Sequence, residues 1–160
     1  METSVVHSSF KAGKNLKIGH FCVIEEDVEV GDDVTIGNYV LLKKGTKIGN
    51  KVFVDSYVKS SGDNIIGNNV TLRFNTTIAR KVYIGNNVFI APNVMTIYST
   101  HKGEKGTGTF IRDDAFIGTA AVFAPNVTVG QGVVIGAMSY INKDCIEPGI
   151  YCGIPVKKIK

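Results

Sequence analysis

The three histidines of this 160-residue chain are its first candidates for catalysis, because a neutral imidazole can accept a proton near pH 7. His101 stands at the base of a segment that carries three glycines, so this segment is predicted to be a flexible or sharply turned loop. His7 and His20 have no comparable disruption beside them. His101 is therefore the candidate proton acceptor.

Metal and thiol chemistry are disfavoured by the spacing of the residues that would supply it. A zinc site built on three histidines needs two of them closely spaced, and the histidines of this chain are far apart. Its three cysteines, an odd number without close spacing, do not form a disulfide framework. Cys22 and Cys145 fall at small interior positions of a repeat, so we expect them to be packing residues. The sequence predicts no metal site.

A six-residue period in the aliphatic residues predicts the elements that hold His101. An inward anchor, almost always Ile, Val, Leu or Phe, recurs at every sixth position from Ile18 to Thr96 and again from Ile111 to Ile141, with Ser60 and Thr96 as the exceptions. This period matches neither a helix nor an isolated strand, and it is typical of a parallel β-helix. With three hexads per coil, the sequence predicts an all-β solenoid of six to seven coils.

One break in the period gives the expected organisation of the chain. The step from Thr96 to Ile111 is 15 residues, whereas intact hexads would give 12 or 18, so nine residues are predicted to be extruded as a loop. We expect a single domain, 1–160, that consists of an N-terminal lead-in 1–17, hexapeptide coils 18–101 and 111–145, the extruded loop 102–110 and a C-terminal tail 146–160.

The charge and the hydropathy of the chain indicate which kinds of ligand and partner it can bind. The net charge is +4, and the basic residues are scattered except at Lys157, Lys158 and Lys160, which suit a small phosphorylated ligand better than nucleic acid. No apolar run has transmembrane length, and the N-terminus lacks the apolar stretch of a signal peptide. We therefore expect a cytoplasmic protein that neither binds nucleic acid nor inserts into a membrane.

Four segments of the chain carry recognisable motifs: Phe74-Asn75-Thr76-Thr77-Ile78, Ile90-Ala91-Pro92-Asn93-Val94, Ser99-Thr100-His101 and the ending Cys152-Gly153-Ile154-Pro155-Val156-Lys157-Lys158-Ile159. In this order they resemble the hexapeptide-repeat acyltransferases, most closely the galactoside and maltose acetyltransferases and the sugar-nucleotide acetyltransferases. The resemblance implies a left-handed β-helix, although the general preference for right-handed crossovers would favour the opposite hand. It also implies a homotrimer that uses acetyl-CoA and no metal.

The resemblance implies roles for individual residues. His101 matches the general base, which takes a proton from the acceptor's hydroxyl or amine as that group attacks the thioester. Asn75 matches an acceptor-binding asparagine, although it also fits a purely structural corner residue. The family's cofactor-binding positions are matched by Thr119, Ala137, Asn142 and Lys143, which would line the pantetheine groove, and by Lys157, near the nucleotide phosphates.

One departure from the family pattern concerns the acceptor. The chain has Arg80-Lys81 where the family often has an acidic pair, so we predict that these two residues bind an acceptor bearing phosphate, such as a nucleotide-linked sugar. The predicted activity is acetyl-CoA-dependent O- or N-acetylation of a sugar or nucleotide-linked sugar, in the synthesis of a surface polysaccharide. The sequence leaves open whether oxygen or nitrogen is acylated, which sugar is the acceptor and which acyl group is transferred. It also leaves open whether Asn75 and His101 serve one site from one chain or from two.

Two other classes share such a scaffold. A γ-class carbonic anhydrase needs three zinc-binding histidines, two of them close together, and this chain lacks that pattern. A catalytically silent β-helix that acts as a binding or assembly subunit is the stronger alternative. The glycine-rich loop beside His101 and the C-terminal motif favour the enzyme.

Overall fold

A computed structural model describes residues 3–160, which form short β-strands joined by turns. The strands, numbered in chain order, are β1 (Val5–Val6), β2 (Lys11–Ala12), β3 (Lys17–Ile18), β4 (Val23–Ile24), β5 (Glu29–Val30), β6 (Thr35–Ile36), β7 (Leu41–Leu42), β8 (Lys47–Ile48), β9 (Phe53–Val54), β10 (Lys59–Ser60), β11 (Ile65–Ile66), β12 (Thr71–Leu72), β13 (Thr77–Ile78), β14 (Val82–Ile84), β15 (Phe89–Ile90), β16 (Met95–Thr96), β17 (Thr109–Ile111), β18 (Phe116–Ile117), β19 (Val122–Phe123), β20 (Thr128–Val129), β21 (Val134–Ile135), β22 (Tyr140–Ile141), β23 (Ile150–Cys152) and β24 (Lys157–Lys158). Within this part of the chain, no helix is long and apolar enough to cross a membrane.

The strands build three sheets, because most of them pair in parallel with the strand three places later. The first sheet has the order β1-β4-β7-β10-β13-β16-β19-β22, the second β2-β5-β8-β11-β14-β17-β20, and the third β3-β6-β9-β12-β15-β18-β21-β23-β24. Paired residues such as Val5 and Val23 are 18 apart, which is one coil of three hexads. The predicted all-β parallel solenoid is confirmed and is consistent with a left-handed β-helix. It has about eight coils, where six to seven were predicted.

The additional coils lie at the two ends of the solenoid. The predicted lead-in 1–17 already contains β1 and β2, which pair with β4 and β5, while its first two residues lie outside the described part. The predicted series began too late because Ala12, at the anchor position of β2, is small and exposed and does not stand out as an anchor. The tail 146–160 adds β23 parallel to β21, and the antiparallel strand β24 covers it.

The core is a continuous column of anchor side chains along the axis of the solenoid. Successive side chains of a strand point to opposite faces, and in most two-residue strands the second residue points inward and is buried. Leu72 and Phe123, for example, are 1% and 0% exposed. Cys22 and Cys145 are buried beside such anchors, as predicted, and burial raises the pKa of the Cys145 thiol. Cys145 therefore packs as a neutral side chain and is no thiolate nucleophile.

Each coil turns at three corners, which we name by the sheets they join. The first corner leads from the first to the second sheet, the second corner from the second to the third, and the third corner from the third sheet to the first sheet of the next coil. A residue with positive φ stands at nearly every corner, as at Asp63 (50°), Asn69 (55°) and Asn75 (57°), respectively. Asn and Asp tolerate this left-handed conformation better than most residues, which explains their frequency in the sequence.

A column of asparagines runs along the second corner of successive coils. The backbone N–H of Asn50 donates to Asn68 Oδ1 at 2.8 Å, and the N–H of Asn68 donates to Asn86 Oδ1 at 2.9 Å. Each side chain thus satisfies a corner N–H of the neighbouring coil. These asparagines are scaffold residues.

A buried hydrogen-bond network explains two exceptions to the apolar repeat. Ser60 replaces an aliphatic anchor, and Asn64 replaces the small residue of the following corner. The Ser60 hydroxyl donates to Asn64 Oδ1 at 2.5 Å and lies 2.7 Å from Thr46 Oγ1, while Asn64 Nδ2 donates to the Ala79 carbonyl at 2.6 Å. The polar side chains replace apolar contacts with mutual hydrogen bonds, so none of them is left unsatisfied.

Replacing Asn64 with Val should lower the free energy of unfolding by about 1–3 kcal/mol, because the Ser60 hydroxyl and the Ala79 carbonyl would lose a buried partner. Urea denaturation measures the difference. Ser61→Val is the matched control, since Ser61 is exposed, and it should stay within about 0.5 kcal/mol of the parent. Equal stability of Asn64→Val and the parent would show that the network contributes nothing.

The break in the hexad period corresponds to an excursion from the first corner. β14 pairs with β17 in the register Val82 to Thr109 and Ile84 to Ile111, which is 27 residues and therefore one coil plus nine. The aromatic rings of Tyr83 and Phe110 stack across this pair with centroids 4.8 Å apart. The coil thus resumes in register, and residues 98–106 are the extruded segment. The loop was predicted at 102–110, because the hexad was assumed to continue to His101.

Candidate active site

His101 lies at the tip of the excursion, which is a small antiparallel hairpin. Ser99 and Lys105 form a β-bridge, the Thr100 N–H donates to the Glu104 carbonyl at 2.9 Å, and the Gly106 N–H donates to the Tyr98 carbonyl at 2.6 Å. A Cβ at Gly106 would lie 2.6 Å from the Tyr98 oxygen, so this neck admits only glycine. The glycines of this segment predicted either a flexible or a sharply turned loop, and the structure shows a sharply turned one.

The chain that returns from the hairpin is held from both sides. From the coil before the excursion, the Lys81 carbonyl accepts the N–H of Thr109 at 3.1 Å. From the coil after it, Asn126 Oδ1 accepts the N–H of Thr107 at 2.6 Å and that of Gly108 at 3.3 Å. The hydroxyl of Thr107 donates to the same oxygen at 3.2 Å.

A cleft of about 440 Å³ opens between the hairpin and the following coil. Ser99, Thr100 and His101 form its hairpin wall, Ala124 and Pro125 form the opposite wall, and Ile97 and Tyr140 complete the lining. The first wall is polar and carries the imidazole, whereas the opposite wall is apolar. Such a cleft suits a ligand with a hydroxyl or amine on one face and an apolar surface on the other.

Asn75, the predicted acceptor-binding residue, lies at the other edge of the first sheet from His101. It stands at the third corner just before β13, where its Nδ2 donates to Asn93 Oδ1 at 3.0 Å and its Oδ1 accepts from Lys59 Nζ at 2.9 Å. His101 follows β16 of the same sheet. Because all strands of this sheet run in parallel, the two residues lie at opposite strand ends within one chain.

The predicted cofactor residues divide between the same two edges. Thr119 and Ala137 stand at the third corner of consecutive coils, and the N–H of Met138 donates to the Thr119 carbonyl at 2.8 Å. Lys157 in β24 pairs with Cys152, at the end of the third sheet that leads to this corner. Asn142 and Lys143 instead follow β22, at the first corner with His101. The residues predicted for one site therefore lie in two groups, here called half-sites, one on each side of the first sheet.

Arg80 and Lys81 lie at the first corner, one coil before the hairpin. Arg80 Nε donates to Asp63 Oδ2 at 2.7 Å, so much of its charge is engaged within the scaffold. Lys81 has a φ of 57° at the turn, and its carbonyl holds the strand that returns from the hairpin. The structure therefore places this pair on the His101 edge and away from Asn75.

Sequence reasoning missed Tyr140 and Ile97 as lining residues of the cleft. Tyr140 is the outward residue of β22 and is 36% exposed. The signal was present in the repeat, because the position before each anchor faces outward, and Tyr140 is an aromatic residue at such a position. Among residues 3–160, no group of three or more His, Cys, Asp or Glu side chains is placed to hold a metal ion.

The hexad repeats identify the protein family to which the chain belongs. The family model for bacterial transferase hexapeptide (six repeats) matches residues 13–44, 63–96 and 108–143, which together make up more than half of the chain. The chain therefore belongs to the hexapeptide-repeat transferase family. The gap between the second and third matched segments coincides with the hairpin that carries His101.

Individual proteins resemble the chain either in part of its sequence or in its fold. A chloramphenicol acetyltransferase of Klebsiella aerogenes is 40% identical over 57 residues, which are 36% of this chain and 27% of that protein, so the match spans about a quarter of the relative. The UDP-N-acetylglucosamine acyltransferase LpxA of Bacteroides fragilis superimposes with a TM-score of 0.74 at 22% identity, over 99% of this chain and 73% of its own. AntD, an N-acyltransferase of Bacillus cereus solved with dTDP and coenzyme A, gives 0.58 at 20% identity, over 94% and 82% of the two chains.

Proposed function

We propose that the protein is an acetyl-CoA-dependent acetyltransferase that acts on the hydroxyl or amine of a sugar or nucleotide-linked sugar. The observation that carries the proposal is the cleft under His101, where an imidazole on a hydrogen-bonded hairpin lies opposite an apolar wall. Membership in the hexapeptide-repeat transferase family supports the acyl transfer itself. We place this activity in the cytoplasm and in the synthesis of a surface polysaccharide.

In the proposed reaction, the acceptor's oxygen or nitrogen attacks the thioester carbonyl of acetyl-CoA while a ring nitrogen of His101 takes its proton. The C–S bond then breaks, and the departing sulfur of coenzyme A receives a proton from the imidazolium. Proton and electron pairs balance without a metal or oxidant. The base matters most for a hydroxyl acceptor, since an amine that is already neutral attacks more readily.

The two half-sites of one chain support a homotrimer. Asn75, Thr119 and Ala137 on one strand end of the first sheet are complemented by His101 and Lys143 on the other, if neighbouring solenoids pack side by side. In a cyclic trimer every such contact is the same, so three complete sites would form. Light scattering tests this proposal, and a monomer at micromolar concentration would contradict it.

The direct test of the activity is a screen of free glycosides and nucleotide-linked sugars with acetyl-CoA. Thiol release gives the rate, and the product mass shows acetylation. Coenzyme A alone should raise the melting temperature, because a ligand that binds the folded state stabilises it. A silent binding or assembly subunit would give neither thiol release nor a shift with coenzyme A.

A hydroxyl-bearing antibiotic is a second candidate acceptor. It is favoured by the 40% identity to the chloramphenicol acetyltransferase of Klebsiella aerogenes. Chloramphenicol therefore belongs in the same screen. Turnover of chloramphenicol with none of any sugar would replace the sugar proposal and leave the acetyl transfer intact.

Replacing Lys81 with Asn should raise the KM for a phosphorylated acceptor about two- to fivefold, which corresponds to the loss of one exposed charge pair. Asn tolerates the positive φ at this corner, so the fold should persist. Steady-state kinetics at low and high salt measure the effect, which should shrink as salt rises.

The matched control is Lys51→Asn, since Lys51 has a φ of 55° at the second corner, away from the cleft. It should leave every KM unchanged. An equal rise in KM for a neutral glycoside in the Lys81 variant would exclude a phosphate-binding role.

A further inference from the structure

Backbone hydrogen bonds hold the first corner of each coil to the preceding coil, and the hairpin changes their pattern. The N–H of Asp63 donates to the Lys44 carbonyl at 2.9 Å, and that of Lys81 donates to the Gly62 carbonyl at 3.4 Å. Gly108 takes the place of the corner residue in the next coil, and its N–H donates instead to the side chain of Asn126 at 3.3 Å. The backbone bond to the preceding coil is kept one residue later, where the Thr109 N–H donates to the Lys81 carbonyl, and Asn126 adds a side-chain bond to the following coil.

Asn126 also joins the two walls of the cleft. It directly follows Ala124 and Pro125, which form the apolar wall, and its Oδ1 binds Thr107 and Gly108, at the base of the hairpin that forms the other wall. The distance between these walls is therefore tied to one side-chain oxygen.

We propose that Asn126 is a positioning residue that fixes the hairpin, and with it His101, at the separation from Pro125 that an acceptor requires. This inference rests on the proposed role of His101. All three contacts use Asn126 Oδ1 as the acceptor, so the side chain needs an oxygen at this place and not an amide N–H. Its φ of 64° must also be preserved, which Asp and Gly both allow.

Two substitutions separate these requirements. Asn126→Gly keeps the backbone conformation and removes the oxygen, whereas Asn126→Asp keeps both. Amide hydrogen exchange of the full-length protein should become about tenfold faster at Thr107 and Gly108 in the Gly variant, in line with the loss of hydrogen bonds to a shared acceptor. The Asp variant should exchange within about twofold of the parent.

Kinetics provide the second measurement. With the acceptor found for the parent, kcat of Asn126→Gly should fall about tenfold while the KM for acetyl-CoA stays unchanged, and Asn126→Asp should restore kcat. The matched control is Asn69→Gly, since Asn69 has a φ of 55° and one side-chain bond, to Asn87, at the second corner. It removes an asparagine from the same conformation without touching the hairpin and should change neither readout.

The outcomes separate this inference from the function on which it rests. Parent-like exchange in Asn126→Gly, or an Asp variant as impaired as the Gly variant, would overturn the positioning role. If the parent transfers no acetyl group to any acceptor, the proposed function fails, while the exchange measurement still decides whether Asn126 holds the hairpin. Faster exchange with unchanged kcat would show that Asn126 orders the hairpin without serving catalysis.

Discussion

Replacing His101 with Asn should lower kcat by about 10²–10⁴-fold on the parent's best acceptor, because the amide has similar size and polarity but accepts no proton at neutral pH. Thiol release from acetyl-CoA under saturating substrate measures the rate. The thermal stability should stay that of the parent, since His101 is an exposed residue at the hairpin tip and none of the core contacts depend on it. Binding of coenzyme A should also persist.

His20→Asn is the control for this experiment, because His20 is exposed at the third corner, several coils away from the hairpin. It should leave kcat unchanged. Near-normal turnover of the His101 variant would remove this residue from the mechanism. If that turnover were confined to amine acceptors, it would indicate attack by a neutral amine that needs no base.

Mixing two impaired variants should restore activity if each site takes His101 from one chain and Asn75 from its neighbour. Asn75→Gly is suitable because glycine keeps the positive φ at this corner. In trimers formed at random from equal amounts of His101→Asn and Asn75→Gly chains, about a quarter of the interfaces contain both intact residues. Activity should therefore return to about a quarter of the parent value.

The mixed trimers are best made by co-expression with two different affinity tags and purified on both. This purification removes the unmixed trimers, so each remaining trimer has one intact interface of three, and the activity should then reach about a third of the parent value. Mixtures of His101→Asn with His101→Ala chains are the control, since no interface in them recovers an intact histidine. If both residues served a site within one chain, every site in the first mixture would carry a lesion. The mixture would then give only the average of the two separate variants.

The sequence predicts the architecture well because the hexad repeat reports one physical constraint at each coil. Positions such as Leu72 and Phe123 must be apolar, since they point into a shared interior, and the structure buries both. Ser60 and Asn64 depart from the apolar repeat, yet the coils that contain them keep the regular fold. Their compensation is a network between residues far apart in sequence, such as Asn64 and Ala79, and no local pattern reports it.

The predicted bounds of the coils and of the loop were wrong for reasons that lie in individual residues. Ala12 is too short an anchor to reveal the first coil, and β23 departs from the six-residue period, so its coil was predicted as a tail. The loop was placed about four residues late, because Ser99, Thr100 and His101 continue the repeat in sequence but turn away from the coil in space. That turn depends on hydrogen bonds within the hairpin, such as Gly106 to Tyr98.

Only part of the candidate site could be foreseen. The motifs pick out His101, Asn75 and the predicted cofactor residues as candidates, since these lie in or beside recognisable repeats. Their distribution over two edges of one sheet follows from the corner that each occupies, which requires the three-dimensional register. Tyr140 was not predicted as a lining residue, because an outward-facing position of a solenoid accepts many residue types unless another group packs on it.

The excursion begins and ends at the same corner, so the stacking of Phe110 on Tyr83 continues as if the hairpin were absent. Most insertions into a hexad would turn inward side chains outward in the coils that follow. A segment bounded by the neck at Tyr98 and Gly106 is exempt from that constraint, and its length and composition are free to diverge. If the hairpin lines the acceptor site as proposed, transplanting hairpins between relatives should change the acceptor range and leave the scaffold and the opposite edge of the sheet unaltered.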